Sequence, residues 1–513
     1  MPMKITFVYP DLQIGVPDWK GYYYCGVGSL AAQLKAAGHR TNLIHITRPE
    51  YSREDFLRDI DQSKPDLVAF SATTLAFPWV VNCLTWLRDE GIRTPTICGG
   101  AHPSVDAENA IKAEGLDMIC QGEGEGALLD LVAALEQGKP YDDIPNLWVK
   151  QDGSVRRNQL RPLIQDLDTL AAYDREDWLN YPHLLHERDG EAITIASRGC
   201  PFKCTYCVNH FYMELFPDKQ YVRFRSVDNT IAELVSLVQR YPFIRGFHFD
   251  DDILYMRKAW SVEFTEKYKK ALGLPFVCNM RPNICTPEIV ALMKEANCRR
   301  VMVGVESGNE YIRNTLLLRA LKAEDMITAF HRFADVGIET VSFNMVGLPE
   351  ETPANVLETV KLNAVSRVTY PQVSIFYPFP GTKLAKYCED KGYVRPFHGD
   401  VHDYFSDSSL DMPTLSREQI VAHRLSFRPF MYVYRALYRL PEPVRRLPEK
   451  ALDTIYTSRY HTFLAMKIIQ PTRHFYRFHL RLLVQRLRRW WRAGSMKRRV
   501  ELGAAPVLEG HDV

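Results

Sequence analysis

Three cysteines, Cys200, Cys204 and Cys207, stand within eight residues of the chain, in the stretch GCPFKCTYC. Thiolates at this CxxxCxxC spacing can hold three irons of an iron–sulfur cube and leave the fourth iron free for a small molecule. A structural zinc site would need a fourth protein ligand, which His210 could provide. The spacing favours the cluster, while zinc binding and a structural coincidence stay open on spacing alone.

Four further segments follow the cysteines, each placed where a predicted strand ends, and Tyr206 puts an aromatic residue before the third cysteine. With these segments in this order, residues 192–385 resemble the radical S-adenosylmethionine (SAM) superfamily, whose defining motif is CxxxCxxC. The resemblance makes zinc the weaker interpretation. The segments are FDDDIL at 249–254, GVESG at 304–308, GLPEET at 347–352 and PFPGT at 378–382.

The resemblance implies a 4Fe–4S cluster on the three cysteines and SAM on the vacant iron. An external one-electron reductant would supply an electron to the cluster. The 5′-deoxyadenosyl radical released from SAM would then take a hydrogen atom from an unreactive carbon. Glu306 and Ser307, in the GVESG segment, are implied to hold the amino acid or ribose part of SAM. Arg281, at the end of another predicted strand, is a candidate polar contact, and an ordinary surface ion pair is its competing interpretation.

Residues 3–140 alternate short apolar runs with amphipathic stretches, which predicts a parallel sheet wrapped by helices. Ligands of such sheets bind at the carboxyl ends of the strands. Three turns rich in glycine or polar residues fall at those ends. The interpretation that competes with ligand binding is that these turns only connect a strand to the next helix. The turns are Ser71-Ala72-Thr73-Thr74, Gly99-Gly100-Ala101-His102 and Gly122-Glu123-Gly124-Glu125.

A parallel domain before a radical SAM barrel resembles the cobalamin-binding subgroup, which includes methylases of unactivated carbons and the anaerobic Mg-protoporphyrin ester cyclase. The resemblance implies cobalamin in the first domain; a scaffold without corrin and a substrate-binding domain are alternatives. The domain contains no Asp-x-His-x-x-Gly string, and the nearest one, at 400–405, lacks the glycine and lies beyond the barrel. We therefore expect cobalt without a histidine ligand from the domain. The implied contacts are Ser71, Thr73, Thr74, Gly99, Gly100, His102, Gly122 and Glu123.

Strand and helix alternation resumes after residue 190 and predicts a second α/β unit. We expect a Rossmann-like parallel-sheet domain at 1–140, a linker with a short hairpin at 141–190, a partial (β/α) barrel at 191–400 and a helical, basic region at 401–513. A length of 513 residues agrees with several domains, and 46% hydrophobic with 25% charged residues excludes a disordered or fibrous protein. No apolar run of about 18 residues and no secretory signal occurs, so a cytoplasmic protein is expected.

Charge is unevenly distributed along the chain. The whole chain carries +2, but residues 471–500 contain ten Lys or Arg and no Asp or Glu. Aromatic residues accompany the arginines, as in RRWWR at 488–492. Such a segment suits an anionic membrane surface, so peripheral membrane contact is one predicted role of the C-terminal region. A solvated helix packed on the barrel competes with it, and nucleic acid is the weakest of the three.

Together these features predict a cobalamin-dependent radical SAM enzyme that transfers a methyl group to an unactivated carbon of a small-molecule or lipid-like substrate. One SAM would provide the methyl group carried by cobalamin, and a second would provide the radical. Radical oxidation, cyclisation or rearrangement of a porphyrin- or lipid-like substrate is the alternative within enzymes. A non-catalytic metal-binding or nucleic-acid-interaction protein is the alternative of another class. The sequence assigns no residue to the transfer step itself.

Overall fold

The computed structural model describes residues 1–12, 21–181, 190–217, 220–395 and 405–470. Seven strands form the first sheet: β1 (Lys4–Pro10), β2 (Arg40–Ile46), β3 (Leu67–Ser71), β4 (Thr96–Gly99), β5 (Met118–Cys120), β6 (Leu147–Gln151) and β7 (Ser154–Arg157).

The first five of these strands are parallel, in the order β2-β1-β3-β4-β5. All five residues of β3 are buried, which is the continuous apolar pattern of a parallel strand covered on both faces. The strand order reverses between β1 and β3, because β2 lies on one side of β1 and β3 on the other. The carboxyl ends at such a switch point form the crevice where ligands of open α/β sheets bind.

Helices cover both faces of this sheet and divide its core in two. Val27 and Leu131, from two helices on one face, pack with Ile5 and Phe7. On the other face, Phe56 and other helical residues pack with β1 and β3. The helices are α1 (Cys25–Ala36), α2 (Arg53–Ser63), α3 (Phe77–Asp89), α4 (Ala101–Val105), α5 (Ala107–Ala110) and α6 (Glu125–Glu136).

The hairpin expected within residues 141–190 is present as β6 and β7, and it belongs to the first sheet. β6 pairs antiparallel with β5, and β7 pairs antiparallel with β6. Asp152, at φ +48°, and Gly153, at φ +76°, make the turn between the two strands. The sheet therefore extends past residue 140, where the sequence predicts the end of the first domain.

The second unit is built on six parallel strands: β8 (Glu191–Thr194), β11 (Gly246–Phe249), β12 (Phe276–Met280), β13 (Cys298–Glu306), β14 (Glu339–Val346) and β15 (Tyr370–Ile375). Each strand pairs with the next one in the chain, in the order β15-β14-β13-β12-β11-β8. Between β8 and β11, β9 (Ser197–Arg198) and β10 (Arg223–Phe224) form a short antiparallel pair. This succession confirms the predicted partial (β/α) barrel.

Helices alternate with the barrel strands, and several begin at a Ser or Thr that caps their N-terminus. Thr286 accepts the amide of Ile289, and Thr352 forms a reciprocal capping box with Asn355. Such caps satisfy amide groups that a helix leaves unpaired at its first turn. The helices are α7 (Val208–Leu215), α8 (Val227–Arg240), α9 (Lys258–Ala271), α10 (Pro287–Glu295), α11 (Ala323–Asp335), α12 (Pro353–Val365) and α13 (Lys383–Asp390).

In the described residues after the barrel, the α-helices are α14 (Arg417–Leu437), α15 (Glu442–Thr457) and α16 (His461–Leu464). Phe427 and Met431 of α14 pack in one core with Val373 of β15 and Val360 of α12. The predicted helical character of the C-terminal region is confirmed as far as residue 470, and the basic segment 471–500 lies outside the described residues. Within the ranges that the structure covers, no helix combines the length and apolarity needed to cross a membrane.

Candidate active site

The three cysteines lie on the loop between β9 and α7, at the carboxyl end of the first barrel strand. Cys204 is buried, Cys200 and Cys207 are partly exposed, and Cys207 is the residue before the first turn of α7. Burial raises the pKa of Cys200 to about 12 and that of Cys207 to about 11. Because iron binds the thiolate, these protons must leave when a cluster forms.

Hydrogen bonds to backbone groups hold the cysteine loop against the far end of the barrel. Between Cys204 and Cys207, the Thr205 hydroxyl donates to the Leu316 carbonyl at 2.5 Å. The Thr205 carbonyl accepts the amide of Leu384, in the first turn of α13, at 3.0 Å. The PFPGT segment supplies the cap of that helix, since Thr382 accepts the Ala385 amide at 3.2 Å. The loop is therefore fixed by segments more than 100 residues away in the chain.

Glu306 is the last residue of β13, where the backbone takes a positive φ of +65°. Its Oε1 accepts the Tyr206 hydroxyl at 3.2 Å and Nη1 of Arg319 at 3.3 Å. Burial raises the pKa of Glu306, and Arg319 opposes that shift. Ser307 is fully buried, and its Oγ accepts the Asn309 amide at 3.3 Å. Of the two residues predicted to contact SAM, Glu306 therefore lies beside the cysteine loop and Ser307 supports the turn after β13.

Arg281 follows β12 directly and is buried beside the cysteine loop. Its guanidinium carbon lies 3.7 Å from the ring centroid of Phe202, and Nη2 donates to the Arg319 carbonyl. Burial lowers the pKa of Arg281, while the thiols of Cys200 and Cys204 are near enough to oppose this. Within the part of the chain that the structure describes, Arg281 makes no ion pair and its Nε has no hydrogen-bond partner. The surface ion pair considered for it is therefore not found there.

Two acidic residues of the FDDDIL segment accept hydrogen bonds from groups beside the cysteine loop. Asp251 is buried and accepts the Ala196 amide at 3.0 Å and the Ser197 hydroxyl, and burial raises the pKa of Asp251 to about 7. Asp252 accepts the Asn209 amide group at 2.9 Å. The same Asn209 nitrogen lies 3.6 Å from Sγ of Cys207. Asp251 thus fixes the strand before the loop, and Asp252 orients a donor toward one thiol.

The donor set around the loop is three cysteine thiols, with His210 as the candidate for a fourth zinc ligand. Nε2 of His210 faces Glu214 of the same helix at 3.5 Å, and its Nδ1 is buried without a hydrogen-bond partner among the described residues. In the described ranges, no three His, Cys, Asp or Glu side chains converge on a point that could hold one metal ion. A cube asks for a different arrangement, with one thiol on each of three irons. The three cysteines remain as the predicted cluster ligands.

A cavity of about 420 Å³ lies between the two units, at the carboxyl ends of the strands of both sheets. Five of the eight residues predicted to contact cobalamin line it: Ser71, Gly99, Gly100, Gly122 and Glu123. From the barrel side it is lined by Ile193, Ile195, Arg198, Gly199, Tyr212, Tyr221 and Asp250, and Phe7, Tyr23, Tyr24 and Leu30 add apolar surface.

The other three predicted contacts lie outside this lining. Thr73 is exposed and Thr74 is partly exposed. His102 is buried with its ring 4.3 Å from that of Phe77, and burial lowers its pKa. Among the described residues, the lining contains no histidine. That cobalt lacks a histidine ligand from the domain stays a prediction of the sequence.

Glycines shape the edge of the cavity that faces the first sheet. A Cβ on Gly99 would find only Cys120, at 3.9 Å, so space opens above this backbone. A Cβ on Gly122 would come within 2.8 Å of the Phe216 ring, which approaches from the barrel unit. Gly100 instead lies against the backbone of Ala72, as expected of a turn that only connects a strand to a helix. Bare backbone beside aromatic walls fits a broad, flat ring with amide groups at its periphery, which is the shape of a corrin.

Buried ion pairs join the two units beside the cavity. Arg198, which precedes Gly199 and Cys200, donates to Glu123 at 2.9 Å and to Glu125 at 2.6 Å. Arg223 of β10 donates to the same Glu123 oxygen at 2.8 Å. Burial opposes ionisation of Glu125, but Arg198 outweighs this and lowers the pKa of that carboxyl. Glu123 therefore serves the contact between the units as well as the cavity lining.

Sequence reasoning missed several residues of this site. Arg319 follows no motif, and nothing in its surroundings LLLRALK marks it as a partner of Glu306. Asn209 carries no signal besides its position two residues after a cysteine. Arg198 could have been found, because a charged residue between an apolar strand and a cysteine motif invites a search for its partner.

Comparison with known proteins adds two domain families. The B12 binding domain family matches residues 22–132. The Radical SAM superfamily matches residues 194–362. The first match covers β2 to β5 of the first sheet, and the second covers β11 to β14 of the second.

Individual proteins resemble the chain over most of its length. An uncharacterized methyltransferase of Pyrococcus horikoshii is 27% identical over 75% of this chain and 83% of its own. The anaerobic magnesium-protoporphyrin IX monomethyl ester cyclase of Rubrivivax gelatinosus is 26% identical over 77% of this chain and 72% of its own. The fold matches the radical SAM methyltransferase TsrM of Kitasatospora setae, solved with cobalamin and a [4Fe-4S] cluster, with a TM-score of 0.64 and 18% identity over 81% of this chain and 79% of that one.

Proposed function

We propose that this chain, which belongs to the radical SAM superfamily and carries a B12-binding domain, transfers a methyl group to an unactivated carbon of a small-molecule substrate. One observation carries the proposal. The cavity between the units is bounded by Ser71 and Gly99, at strand ends of the B12-binding domain, and by Gly199, the neighbour of Cys200. A substrate held there would meet both cofactors in one cavity.

The cofactors of this enzyme are a 4Fe–4S cluster, SAM and cobalamin. When they are bound, the cluster supplies the electron that cleaves SAM, and cobalamin supplies the methyl group. Cys200, Cys204 and Cys207 would hold the cluster. Ser71, Gly99, Gly100, Gly122 and Glu123 would border the corrin, and Thr73, Thr74 and His102 stay predictions of the sequence alone.

The protein's own part in the reaction is to position SAM and to exclude water from the site. Tyr206 and Arg319 hold the Glu306 carboxylate in one orientation, so that a donor group of SAM would meet a fixed acceptor. We assign Glu306 and Arg281 to SAM binding on their place beside the loop, and Ser307 to support of the turn. Tyr23, Tyr24, Tyr212 and Tyr221 wall the cavity, which keeps water from a reactive carbon.

A second function within the same chemistry is radical oxidation, cyclisation or rearrangement. The similarity to the magnesium-protoporphyrin ester cyclase favours it, since that relative is nearly as similar as the methyltransferase of Pyrococcus. On this alternative the substrate would be porphyrin- or lipid-like, and SAM would serve only as the source of the radical.

Two partners complete the proposal. Reductive cleavage of SAM needs an external one-electron reductant, since no other electron source is present in the reaction. The basic, aromatic segment 471–500 is proposed to touch an anionic membrane surface from the cytoplasmic side. The eleven cysteines are free, which supports a reducing compartment.

The test uses the full chain, reconstituted anaerobically with iron, sulfide and hydroxocobalamin. We expect 5′-deoxyadenosine on reduction with dithionite, and a deuterated methyl group from CD₃-labelled SAM in a metabolite of an extract from cells lacking the protein. Replacing Cys200, Cys204 and Cys207 together by Ala should abolish both. Cys83→Ala, at a buried cysteine of α3 away from the loop, is the matched control and should retain both.

The outcomes separate the two functions. A metabolite that loses hydrogen or closes a ring without gaining label would replace methyl transfer by the second function. A full cluster in the triple variant would place the iron ligands elsewhere. Electron paramagnetic resonance of the Co(II) form should lack nitrogen superhyperfine splitting, because no histidine lines the cavity among the described residues.

A further inference from the structure

Helix α15 is amphipathic in the opposite sense to an ordinary surface helix. Its polar residues Glu449 and Asp453 face the protein, where both pair with Lys361 of α12 at 3.0 and 2.8 Å. Tyr456, on the same side, is its only fully buried residue. Val444, Leu447 and Ile455 are exposed, Leu447 to 78%. At about 100° per residue, the apolar stripe lies roughly 160° from the inward polar face.

Exposed apolar side chains are concentrated at this end of the chain. Before α15, Leu440 is exposed, and after it Tyr460 and Phe463 are exposed to 65% and 63%. Elsewhere in the described ranges the exposed large apolar residues are scattered through the sequence, which is normal for a protein surface. A group of exposed apolar residues within 24 positions of the chain is a candidate contact surface. We call it the C-terminal apolar face: Leu440, Val444, Leu447, Ile455, Tyr460 and Phe463.

Basic residues accompany this face: on α15, Lys450 flanks the apolar stripe, whereas Arg446 lies toward the inward polar side. Arg446 and Lys450 of α15 and Lys467 are exposed and form no ion pair with any residue that the structure describes. On α15, Glu442 is exposed, while Glu449 and Asp453 are turned inward, where both pair with Lys361 and Glu449 also faces Arg445. No Asp or Glu occurs between Asp453 and Glu501. The face therefore combines an apolar centre with a positive rim.

We propose that the C-terminal apolar face docks on an anionic lipid bilayer. Apolar side chains on one side of a helix, flanked by Lys and Arg, insert into the headgroup region while the basic groups meet anionic lipids. The proposal goes beyond methyl transfer and does not depend on it. It also differs from the contact proposed for residues 471–500, because it names an apolar surface within the folded part of the chain.

Charge argues against the other occupants. A second copy would bring the same basic rim against itself across a two-fold axis, and like charges repel. The chain's own segment 471–500 is also basic, so it would meet the same repulsion. Nucleic acid is bound through phosphates and stacked bases; Tyr460 and Phe463 could stack with bases, but the stripe Val444, Leu447 and Ile455 on α15 offers them no partner.

The experiment measures flotation of the full, cluster-loaded chain with vesicles of phosphatidylcholine alone and with phosphatidylglycerol added. Wild type should float with the anionic vesicles only, and less so as salt is raised. Leu447→Asp should weaken this binding at least about ten-fold, since it puts a charge at the centre of the inserted face. The matched control is Val262→Asp, the same change at an exposed valine of α9, which should bind as wild type does.

Thermal unfolding and 5′-deoxyadenosine formation should be unchanged in both variants, so that loss of binding is not loss of fold. Binding of Leu447→Asp equal to wild type would assign membrane contact to residues 471–500 and overturn the proposal. So would equal flotation with neutral vesicles, or a wild-type dimer that Leu447→Asp converts to a monomer. Binding of an RNA oligonucleotide that Leu447→Asp abolishes would assign the face to nucleic acid and would also overturn the proposal.

Discussion

At the scale of single residues, Tyr206 does two things that its place before the third cysteine does not reveal. Its ring packs with the core formed by β14, β15 and α14. Its hydroxyl donates to Glu306 at 3.2 Å and accepts from Arg319. The cysteine loop and the residue predicted to hold SAM are therefore joined by one side chain.

Tyr206→Phe should weaken SAM binding to the cluster-loaded enzyme about ten-fold, which corresponds to about 1.4 kcal/mol of lost positioning of Glu306. The unfolding free energy of the chain should fall by about 1–2 kcal/mol, because a buried acceptor loses a donor. Titration calorimetry with SAM and urea unfolding measure the two effects. Tyr311→Phe is the control, since its hydroxyl donates to Glu350 at 3.2 Å on the surface and should matter little. Unchanged SAM affinity in Tyr206→Phe would show that the hydrogen bond between Tyr206 and Glu306 does not contribute to SAM binding.

The residues that sequence could predict are those whose chemistry is carried by local spacing. The three cysteines form one motif within eight residues, and Glu306 lies in a recognisable strand-end segment. Arg319 could not be predicted, because its contact with Glu306 depends on how the chain returns after a π-helical turn at Ile312–Leu316. The same segment predicts Ser307 as a SAM contact, which stays a prediction, and its complete burial follows from a turn geometry that spacing does not encode.

At the scale of elements, the strand-to-helix turns decide where a ligand can approach. The alternation of apolar runs and amphipathic stretches predicts β1 to β5 and their helices. It does not predict that β6 and β7 join the same sheet, since the pairing of β6 with β5 joins segments that a helix separates in the chain. The turn after β5 carries Gly122 at φ +84°, with the ring of Phe216 where a side chain would be.

Gly122→Ala should lower both the unfolding free energy and the affinity for hydroxocobalamin. Any L-residue at this φ costs about 1–2 kcal/mol, and the added methyl must also displace Phe216 from the cavity edge. Gly138→Ala is the matched control, because φ is +63° there and no atom lies within 4 Å of the added methyl. We expect the control to lose stability but no affinity, as measured by urea unfolding and by absorbance titration. Equal hydroxocobalamin affinity in the two variants would move the corrin away from this turn.

At the scale of the whole molecule, the two units are held together by charged groups as well as by packing. Arg198 and Arg223 of the barrel unit meet Glu123 and Glu125 of the B12-binding domain. Glu125 is almost completely buried and also accepts the Ser29 hydroxyl at 2.7 Å. Removing one member of such a group leaves the others buried without compensation.

Glu125→Gln should lower the unfolding free energy by about 3 kcal/mol, because Arg198 loses a buried partner. We also expect two separate unfolding transitions, one for each unit, in place of one. Glu108→Gln removes a comparable pair, with Arg157, whose side chains are more than half exposed, so the change should be less than about 0.5 kcal/mol. Urea unfolding followed by tryptophan fluorescence measures both. A single, unshifted transition in Glu125→Gln would show that packing alone holds the interface.

Arg198 stands two positions before Cys200, and the carboxylates that hold it belong to the turn that borders the cavity. We therefore expect a ligand that shifts this turn to shift the cysteine loop as well, and a ligand on the loop to act back on the turn. Thermodynamics requires this coupling to be reciprocal: the factor by which hydroxocobalamin changes the affinity for SAM must equal the factor by which SAM changes the affinity for hydroxocobalamin. With SAM on the cysteine loop and cobalamin at the turn, as the sequence predicts, the arginine next to the cluster motif would link the two sites in one equilibrium.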